Sequence, residues 1–380
     1  MKVKPVKTAV IGCGMISSIY LSNLKERFSI IDLVGCSDLV EEKSRAQAEK
    51  YGIRQMTNEE ILSNPEIELV LNLTYPTSHF EVSKSILEAG KHCYSEKIMC
   101  ITDEEADCLD ELRKKNNVMF TIAPDTILGS GMQLARYVID KGLIGKPIMA
   151  NAYLARSYQL IKSDEEDAYR KFSVMCEGGG IPYDMGGYYL HQLFNMFGPA
   201  SRVCGFSKTR NQNRPYLNPL NSNFNDSFFV NTPNTISASL EFDCGVWANL
   251  AITSDCCTTE NQFCVIGTEG ILNIGDPNEF GDKTSILKSS GEYVELPKFF
   301  PFSENSRGVG AADMAWALRT GRPSRLSFEM GRHTLEVINA IKVCDDTNEV
   351  QLLKTKFERP KPLSTEFYSG ASEERSLFIY

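Results

Sequence analysis

Histidine is scarce in this 380-residue chain, with four in total, and no two cysteines form a C-x-x-C pair. Structural zinc sites draw on such paired Cys and His ligands, so no metal is expected. Long hydrophobic runs are missing too: none approaches the roughly 18 apolar residues of a membrane span. There is no basic excess, since 40 Lys and Arg face 49 Asp and Glu, for a net charge of −9 and a pI near 5.2. Nucleic acid and anionic membranes are bound through a basic stripe, so neither is expected as a partner. No internal repeat is visible.

What is present is ordinary for a soluble globular protein, with 42% hydrophobic and 23% charged residues. The chain is long enough for two domains with sizeable cores. Its 12 cysteines are scattered, several within apolar strand or helix patterns. They read as buried free thiols in a reducing cytosol, and a cytoplasmic location is expected. The vicinal pair Cys256-Cys257 is the one place where oxidation would matter. Lys2, Lys4 and Lys7 before an apolar run imitate a signal peptide. That run contains a G-x-G turn and lacks a small-residue cleavage pattern, so it reads as the first strand.

The stretch Thr8 to Ser17 organises the rest of the chain. A short apolar run stops at Gly12, and Met15 to Phe28 reads as a helix. A strand turning into a helix through G-x-G aims backbone N–H groups and a positive helix end at one point, where a pyrophosphate can sit. Gly12 permits the tight turn and Gly14 the close approach of phosphate; Cys13, Met15 and Ile16 complete the turn, and Ser17 replaces the third glycine. A second strand, Ile31 to Cys36, leads to Asp38, about 20 residues past the motif, where a carboxylate would accept from the adenosine ribose hydroxyls. NAD is the expected cofactor, with NADP left open because Lys43 and Arg45 lie nearby.

From Lys7 to about Ala123, strands at 8–11, 31–37, 69–74, 92–95 and 118–122 alternate with helices at 15–28, 42–52, 57–63, 78–89 and 103–115. The alternation predicts a parallel sheet with ligands at the carboxyl ends of its strands. After Pro124 the pattern changes. A helix at 131–141 leads to a strand at 147–154, and strand patterns dominate from about 202 to 297. Ile236, Ala238, Leu240 and Phe242 alternate with polar residues, Asp243-Cys244-Gly245 turns the chain, and Val246, Ala248, Leu250 and Ile252 continue the alternation: a β-hairpin. Trp247 lies on the opposite face, which suggests a subunit interface. Thr209 to Thr232, rich in Asn and Pro, reads as a long loop, helices return near 306–320 and 327–344, and the tail after Arg359 looks irregular. The fold class is therefore α/β, with a dinucleotide-binding domain at 1–123 and an α+β domain with an open, mostly antiparallel sheet at 124–380.

Two segments carry further chemistry. Lys97, in Ser95-Glu96-Lys97, comes directly after the strand at 92–95 and so lies at a strand's carboxyl end, in the crevice of the cofactor. A lysine there can hydrogen-bond a substrate hydroxyl and stabilise an alkoxide; a solvated surface lysine is the plain alternative. In the block Glu177 to His191, Gly178, Gly179 and Gly180 form a loop, and Asp184 opens a helix to about Met196. Asp184, Tyr188 and His191 then share one helical face, as a proton relay or as an N-cap with two packing residues.

Together these segments resemble the glucose–fructose oxidoreductase and inositol dehydrogenase (Gfo/Idh/MocA) family over nearly the whole chain. The resemblance rests on G-C-G-M-I-S at 12–17, Thr74-Tyr75-Pro76 followed by His79, Glu96-Lys97, the G-G-G…Asp184…Gly186…Tyr188 block, Gly267-Thr268-Glu269-Gly270 and Gly321-Arg322-Pro323. It implies a Rossmann domain, NAD(P)-linked oxidation or reduction of a sugar or cyclitol hydroxyl, and a homodimer or homotetramer built through the open sheet. It adds Thr74, Pro76, His79, Glu96 and Lys97 to the cofactor side. Three positions depart from the family: Ile98 stands where proline usually follows the Glu-Lys pair, Tyr188 where histidine is often the acid/base, and His191 where a second aspartate is common. On this reading Lys97 orients the reacting oxygen, Tyr188 or His191 takes its proton, and Asp184 holds the substrate or the base. A non-catalytic nucleotide sensor and an NAD-using glycoside hydrolase are the alternatives.

Overall fold

The computed structural model describes residues 3–157 and 179–363. Its first sheet contains β1 (Val6–Ile11), β2 (Ile31–Ser37), β3 (Arg54–Gln55), β4 (Leu69–Asn72), β5 (His92–Ser95) and β6 (Phe120–Ile122), connected through α1 (Ser17–Glu26), α2 (Glu41–Tyr51), α3 (Asn58–Ser63), α4 (Pro76–Glu88) and α5 (Asp103–Lys115). The strands are parallel in the order β3-β2-β1-β4-β5-β6. This is the doubly wound dinucleotide topology, whose switch point lies between β1 and β4. Every residue of β4 is buried, because helices cover both faces of a parallel sheet; Leu69, Val70 and Leu71 are apolar, and Asn72 at its end is satisfied by the His79 carbonyl and Ser83 Oγ, each at 3.0 Å. Leu73 and Thr74, expected in that strand, form the turn leaving it. β3 has no counterpart in the sequence pattern, since two residues are too few to show a period.

The helix ends differ in a way that matters for ligands. α3 and α5 carry capping boxes, Thr57 with Glu60 and Thr102 with Glu105. α5 also has Asp103, Glu104 and Glu105 in its first turn and Arg113, Lys114 and Lys115 in its last, complementing the helix dipole. α1 and α4 have neither a side-chain cap nor an acid in the first turn, and α4 starts on Pro76. Their N-terminal N–H groups border the switch point.

After Ile122 come a 3₁₀ turn (Asp125–Leu128), α6 (Ser130–Asp140) and β7 (Pro147–Arg156). A second sheet pairs β7 with β8 (Ala200–Lys208), β11 (Thr235–Phe242), β12 (Trp247–Thr253), β13 (Thr259–Gly267), β14 (Gly270–Ile274), β15 (Ser285–Lys288), β16 (Tyr293–Glu295) and β17 (Gln351–Leu352). The order is β16-β15-β14-β13-β7-β12-β11-β8-β17, antiparallel except for the β7–β12 pair. The hairpin is β11–β12, with Ala238 opposite Leu250. Its inner face packs on α7 (Gly187–Phe197), which is buried at every position and touches the sheet through Tyr189 on Phe263 and Phe194 on Phe242. The segment 209–232 is not simply a loop. It holds a ribbon of β9 (Asn213–Pro215) and β10 (Ser227–Phe229) over a small core of Tyr216, Phe228 and Val230; its Asn and Pro content conceals two strands of three residues.

The last helices, α8 (Val309–Thr320) and α9 (Phe328–Thr347), return to the first sheet. Arg319 of α8 pairs with Glu68 at 2.7 Å. From α9, Phe328 packs on Phe120, while Arg332 and Glu329 pair with Asp103 and Arg113, each at 2.6 Å. The tail stays irregular as far as Leu363; residues 364–380, and Glu177 and Gly178 of the glycine block, lie outside the described residues. Among the described residues no helix is long and apolar enough to cross a membrane.

Candidate active site

Two connected cavities line the carboxyl ends of β1, β2, β4 and β5. The first, a groove of about 250 Å³, is lined by Gly12, Gly14, Met15, Asp38, Leu39 and Tyr75 among others. Gly12 has φ +102°, and a Cβ there would stand 2.7 Å from the Leu73 carbonyl carbon, so only glycine fits between the ends of β1 and β4. At Gly14 a Cβ would meet no protein atom within 4 Å; it would project into the groove. The space is therefore kept clear beside the uncapped N-terminus of α1, as a pyrophosphate requires. Asp38 accepts from Cys13 N–H at 2.7 Å and from Val40 N–H at 2.8 Å. These bonds fix the carboxylate on the groove wall with lone pairs left over for hydroxyl donors. The residues present fit a dinucleotide. Cys13 itself is buried and contributes its backbone.

Ile16 and Thr74 line both the groove and a second cleft of about 80 Å³. The cleft is walled by Pro76, Glu96, Lys97, Tyr183, Asp184 and Tyr188. Lys97 Nζ donates to Asp184 Oδ1 at 2.7 Å and to the Asp184 carbonyl at 2.9 Å. It also stands 5.2 Å from the centroid of the Tyr188 ring. With side chains 13% and 7% exposed, the Lys97–Asp184 pair is shielded from water and stronger than a surface pair. Glu96 is held behind it, accepting from Tyr20 O–H at 2.6 Å and from Lys97 N–H at 3.2 Å. The Lys97–Ile98 peptide is cis, with isoleucine in place of proline. His79 is buried, with Nε2 at 3.0 Å from the Thr74 carbonyl and Nδ1 on the Ile98 carbonyl. It ties the β4 and β5 turns together, and burial lowers its pKa.

Asp184 does not open an α-helix. It lies inside a π turn, Pro182–Gly186, which runs into α7, and its carboxylate is turned to Lys97. The π turn breaks the expected 3.6-residue spacing between Asp184 and Tyr188, while Tyr188 and His191, three residues apart on α7, face different surroundings. Tyr188 lines the cleft. His191 is 1% exposed, is absent from the cleft wall, and has Nδ1 at 2.9 Å from the Gly187 carbonyl and 3.3 Å from Thr334 Oγ1. Burial pushes its pKa down to about 4, so the ring is neutral.

Several residues near the cleft carried no sequence signal. Tyr183 donates to Asn339 Oδ1 at 2.8 Å. Asp125 is buried and accepts N–H bonds from Gly308 at 2.7 Å and Gly310 at 3.1 Å; burial nevertheless pushes its pKa up to about 6. Arg307 donates to Asn278 Oδ1 at 2.7 Å and to Asn305 Oδ1 at 2.9 Å; burial would lower its pKa, but the neighbouring Tyr188, Asp125 and Tyr20 hold it above the usual value. Only the tertiary fold brings these groups together. Conversely, two motif segments are structural. Thr268 Oγ1 accepts from Lys146 N–H at 3.0 Å, and Arg322 pairs with buried Asp313 at 2.6 Å.

Comparison with known proteins gives concordant results. Residues 6–123 match the oxidoreductase family with an NAD-binding Rossmann fold, and residues 132–273 match the GFO/IDH/MocA C-terminal domain. An uncharacterized oxidoreductase of Schizosaccharomyces pombe is 28% identical over 216 residues, covering 56% of this chain and 57% of that protein. An inositol 2-dehydrogenase/D-chiro-inositol 3-dehydrogenase of Lactiplantibacillus plantarum is 25% identical over 168 residues, covering 43% of this chain and 47% of the relative. The chain thus spans about half the length of these curated relatives. A levoglucosan dehydrogenase solved with NADH shares the fold at a TM-score of 0.77 and 18% identity, over 93% of this chain and all of its own. With both domain signatures in order along one chain, and the Rossmann groove opening on Lys97, the protein belongs to the Gfo/Idh/MocA family of NAD-binding oxidoreductases.

Proposed function

We propose that the chain is an NAD-dependent oxidoreductase that moves a hydride between nicotinamide and a hydroxyl-bearing carbon of a sugar or cyclitol. The carrying observation is the shielded Lys97–Asp184 pair beneath Tyr188, at the point where the dinucleotide groove opens into the cleft. The bound nicotinamide would supply the two-electron acceptor or donor. Residues 1–123 would hold it, and residues 124–380 would add Asp184 and Tyr188 from the other side. Lys97 Nζ would donate to the reacting oxygen and stabilise its developing negative charge. Asp184 keeps that ammonium charged and aimed. Tyr188 would exchange the hydroxyl proton, and His191 would support the helix from within. The dehydrogenase names of the inositol and levoglucosan relatives favour a polyhydroxylated substrate. A homodimer or homotetramer through the outer face of the second sheet completes the reading.

An absorbance screen at the reduced-nicotinamide band, with sugars, cyclitols and sugar acids and with each cofactor, tests it. Reduction of NAD by at least one polyol is expected. Cleavage of chromogenic glycosides without net reduction would replace it with the hydrolase chemistry, and binding of NAD with no turnover of any compound would leave a sensor.

A further inference from the structure

A π turn is rare, and its extra residue per turn survives only where neighbouring groups hold it. In this cleft the winding decides where a carboxylate points. Each residue of an α-helix turns the chain by about 100°, and α7 is buried at every position, which fixes its own rotation. If the turn Pro182–Gly186 relaxed to α-helical winding, Asp184 would swing by about that angle. It would leave Lys97, whose Nζ it now meets at 2.7 Å.

Helix α9 runs along the turn and holds it. Asn339 Oδ1 accepts at 2.8 Å from the hydroxyl of Tyr183, the residue directly before Asp184. Ile338 Cδ1 lies 4.0 Å from where a Cβ on Gly186 would stand. One turn back along α9, Thr334 Oγ1 is 3.3 Å from His191 Nδ1, which is itself 2.9 Å from the Gly187 carbonyl. Of these three contacts, only that of Asn339 is a hydrogen bond to a residue of the turn. The Tyr183 ring packs against both hydrophobic cores and lines the cleft beside Asp184. Burial pushes its pKa up to about 12, so the hydroxyl stays a donor near neutral pH. On the other side of the turn Arg156 Nη1 stands 3.0 Å from Met185 Sδ, a weak acceptor that orients little.

We propose that Asn339 is a positioning residue: by holding the Tyr183 hydroxyl it fixes the winding of the π turn, and so keeps the Asp184 carboxylate on Lys97. This rests on the reading of Lys97 as the group at the reacting oxygen. Asn339 itself lies outside the cleft wall and moves no proton. Its helix also packs on the first sheet, through Phe328 on Phe120. One helix therefore docks on that sheet and sets the turn that faces it.

The test uses the full chain. Asn339→Leu removes the acceptor at nearly constant size, and Tyr183→Phe removes the donor; either suffices if the other fails to fold. Each is expected to lower kcat for NAD reduction at least about tenfold, as a small misplacement of a reacting group does, with NAD affinity unchanged. The double variant should lose no more than the worse single, because the same bond is broken in all three. Asn339→Asp, which keeps an acceptor, should retain most of kcat. In an Asp184→Asn background, Asn339→Leu should cost nothing further. Losses that multiply in either combination, or unchanged kcat in both single variants, would overturn the proposal. A crystal structure of Asn339→Leu reads the geometry without turnover. It should show Asp184 beyond the roughly 4 Å of an ion pair from Lys97; the parental pair in that variant would also overturn the proposal. Failure of the parent to oxidise any polyol would instead refute the reading of Lys97, and the crystal structure would still decide the role of Asn339.

Discussion

Lys97, partly buried, and His191, fully buried, lie within reach of the same π turn and helix, and their partners give them different work. Lys97 faces a carboxylate and a cleft; His191 faces a backbone carbonyl and a core. Tyr188→Phe should therefore lower kcat by the roughly 10²–10⁴-fold typical of general acid–base catalysis. His191→Asn should lower it far less; a larger loss there, with removal of the lower-pH limb, would return the proton to the imidazole. The histidine should appear in stability instead. Its pKa is lowered by burial to about 4 in the fold from 6.5 in the reference state, so between these values the unfolded chain binds a proton the folded one does not. Stability contributed by the neutral ring falls as pH drops through that window, by on the order of 3 kcal/mol. Asp125, raised by burial from 3.8 to about 6, has the opposite sign: it favours the fold as pH falls across its own interval. Denaturant titrations of parent and His191→Asn from pH 7 to about 4 should thus converge toward the acid end; parallel curves would mean that the ring is solvated.

At the level of elements, the ends of β1 and α1 make two glycines inequivalent. Gly12→Ala meets backbone at 2.7 Å with φ at +102° and should destabilise the chain by about 1–3 kcal/mol or more. Gly14→Ala meets nothing. It should leave Tm unchanged while weakening NAD in a calorimetric titration, because its methyl enters the pyrophosphate's space; unchanged NAD affinity would place the dinucleotide elsewhere. Both glycines are legible in the sequence, as are β1, β2, β4 and β5, because buried parallel strands must be apolar and their turns must be tight. The Asp184 helix departs from its sequence pattern for a local reason: helical spacing assumes 3.6 residues per turn, and a π turn at Pro182–Gly186 breaks it. Arg307 and Asp125 are invisible in the sequence because their partners, Asn278 and Gly308, lie far off along the chain, and no local pattern records a contact of that kind. The ribbon β9–β10 escapes because its strands are too short for alternation to show.

Across the whole molecule, the second sheet covers its inner face with helices and, among the described residues, leaves the outer one bare. Trp247, Phe206 and Tyr153 are 57%, 65% and 37% exposed, and the pairing register carries Phe206 through Ser237 and Ala251 to Tyr153 in one row. Aromatic side chains in such a row favour self-association. A dimer or tetramer is expected in sedimentation at micromolar concentration, with Trp247→Glu shifting it toward monomer; a monomeric parent would contradict this. The return of α8 and α9 to the first sheet means that both sheets frame the cleft together, so a change at its centre should affect chemistry without loosening either. The most direct measurement is the turnover of Lys97→Met beside its affinity for NAD. Abolished reduction of NAD by a polyol that the parent oxidises, with NAD binding nearly intact, is the predicted result; unchanged turnover in that variant would contradict the assignment of Lys97 to the reacting oxygen.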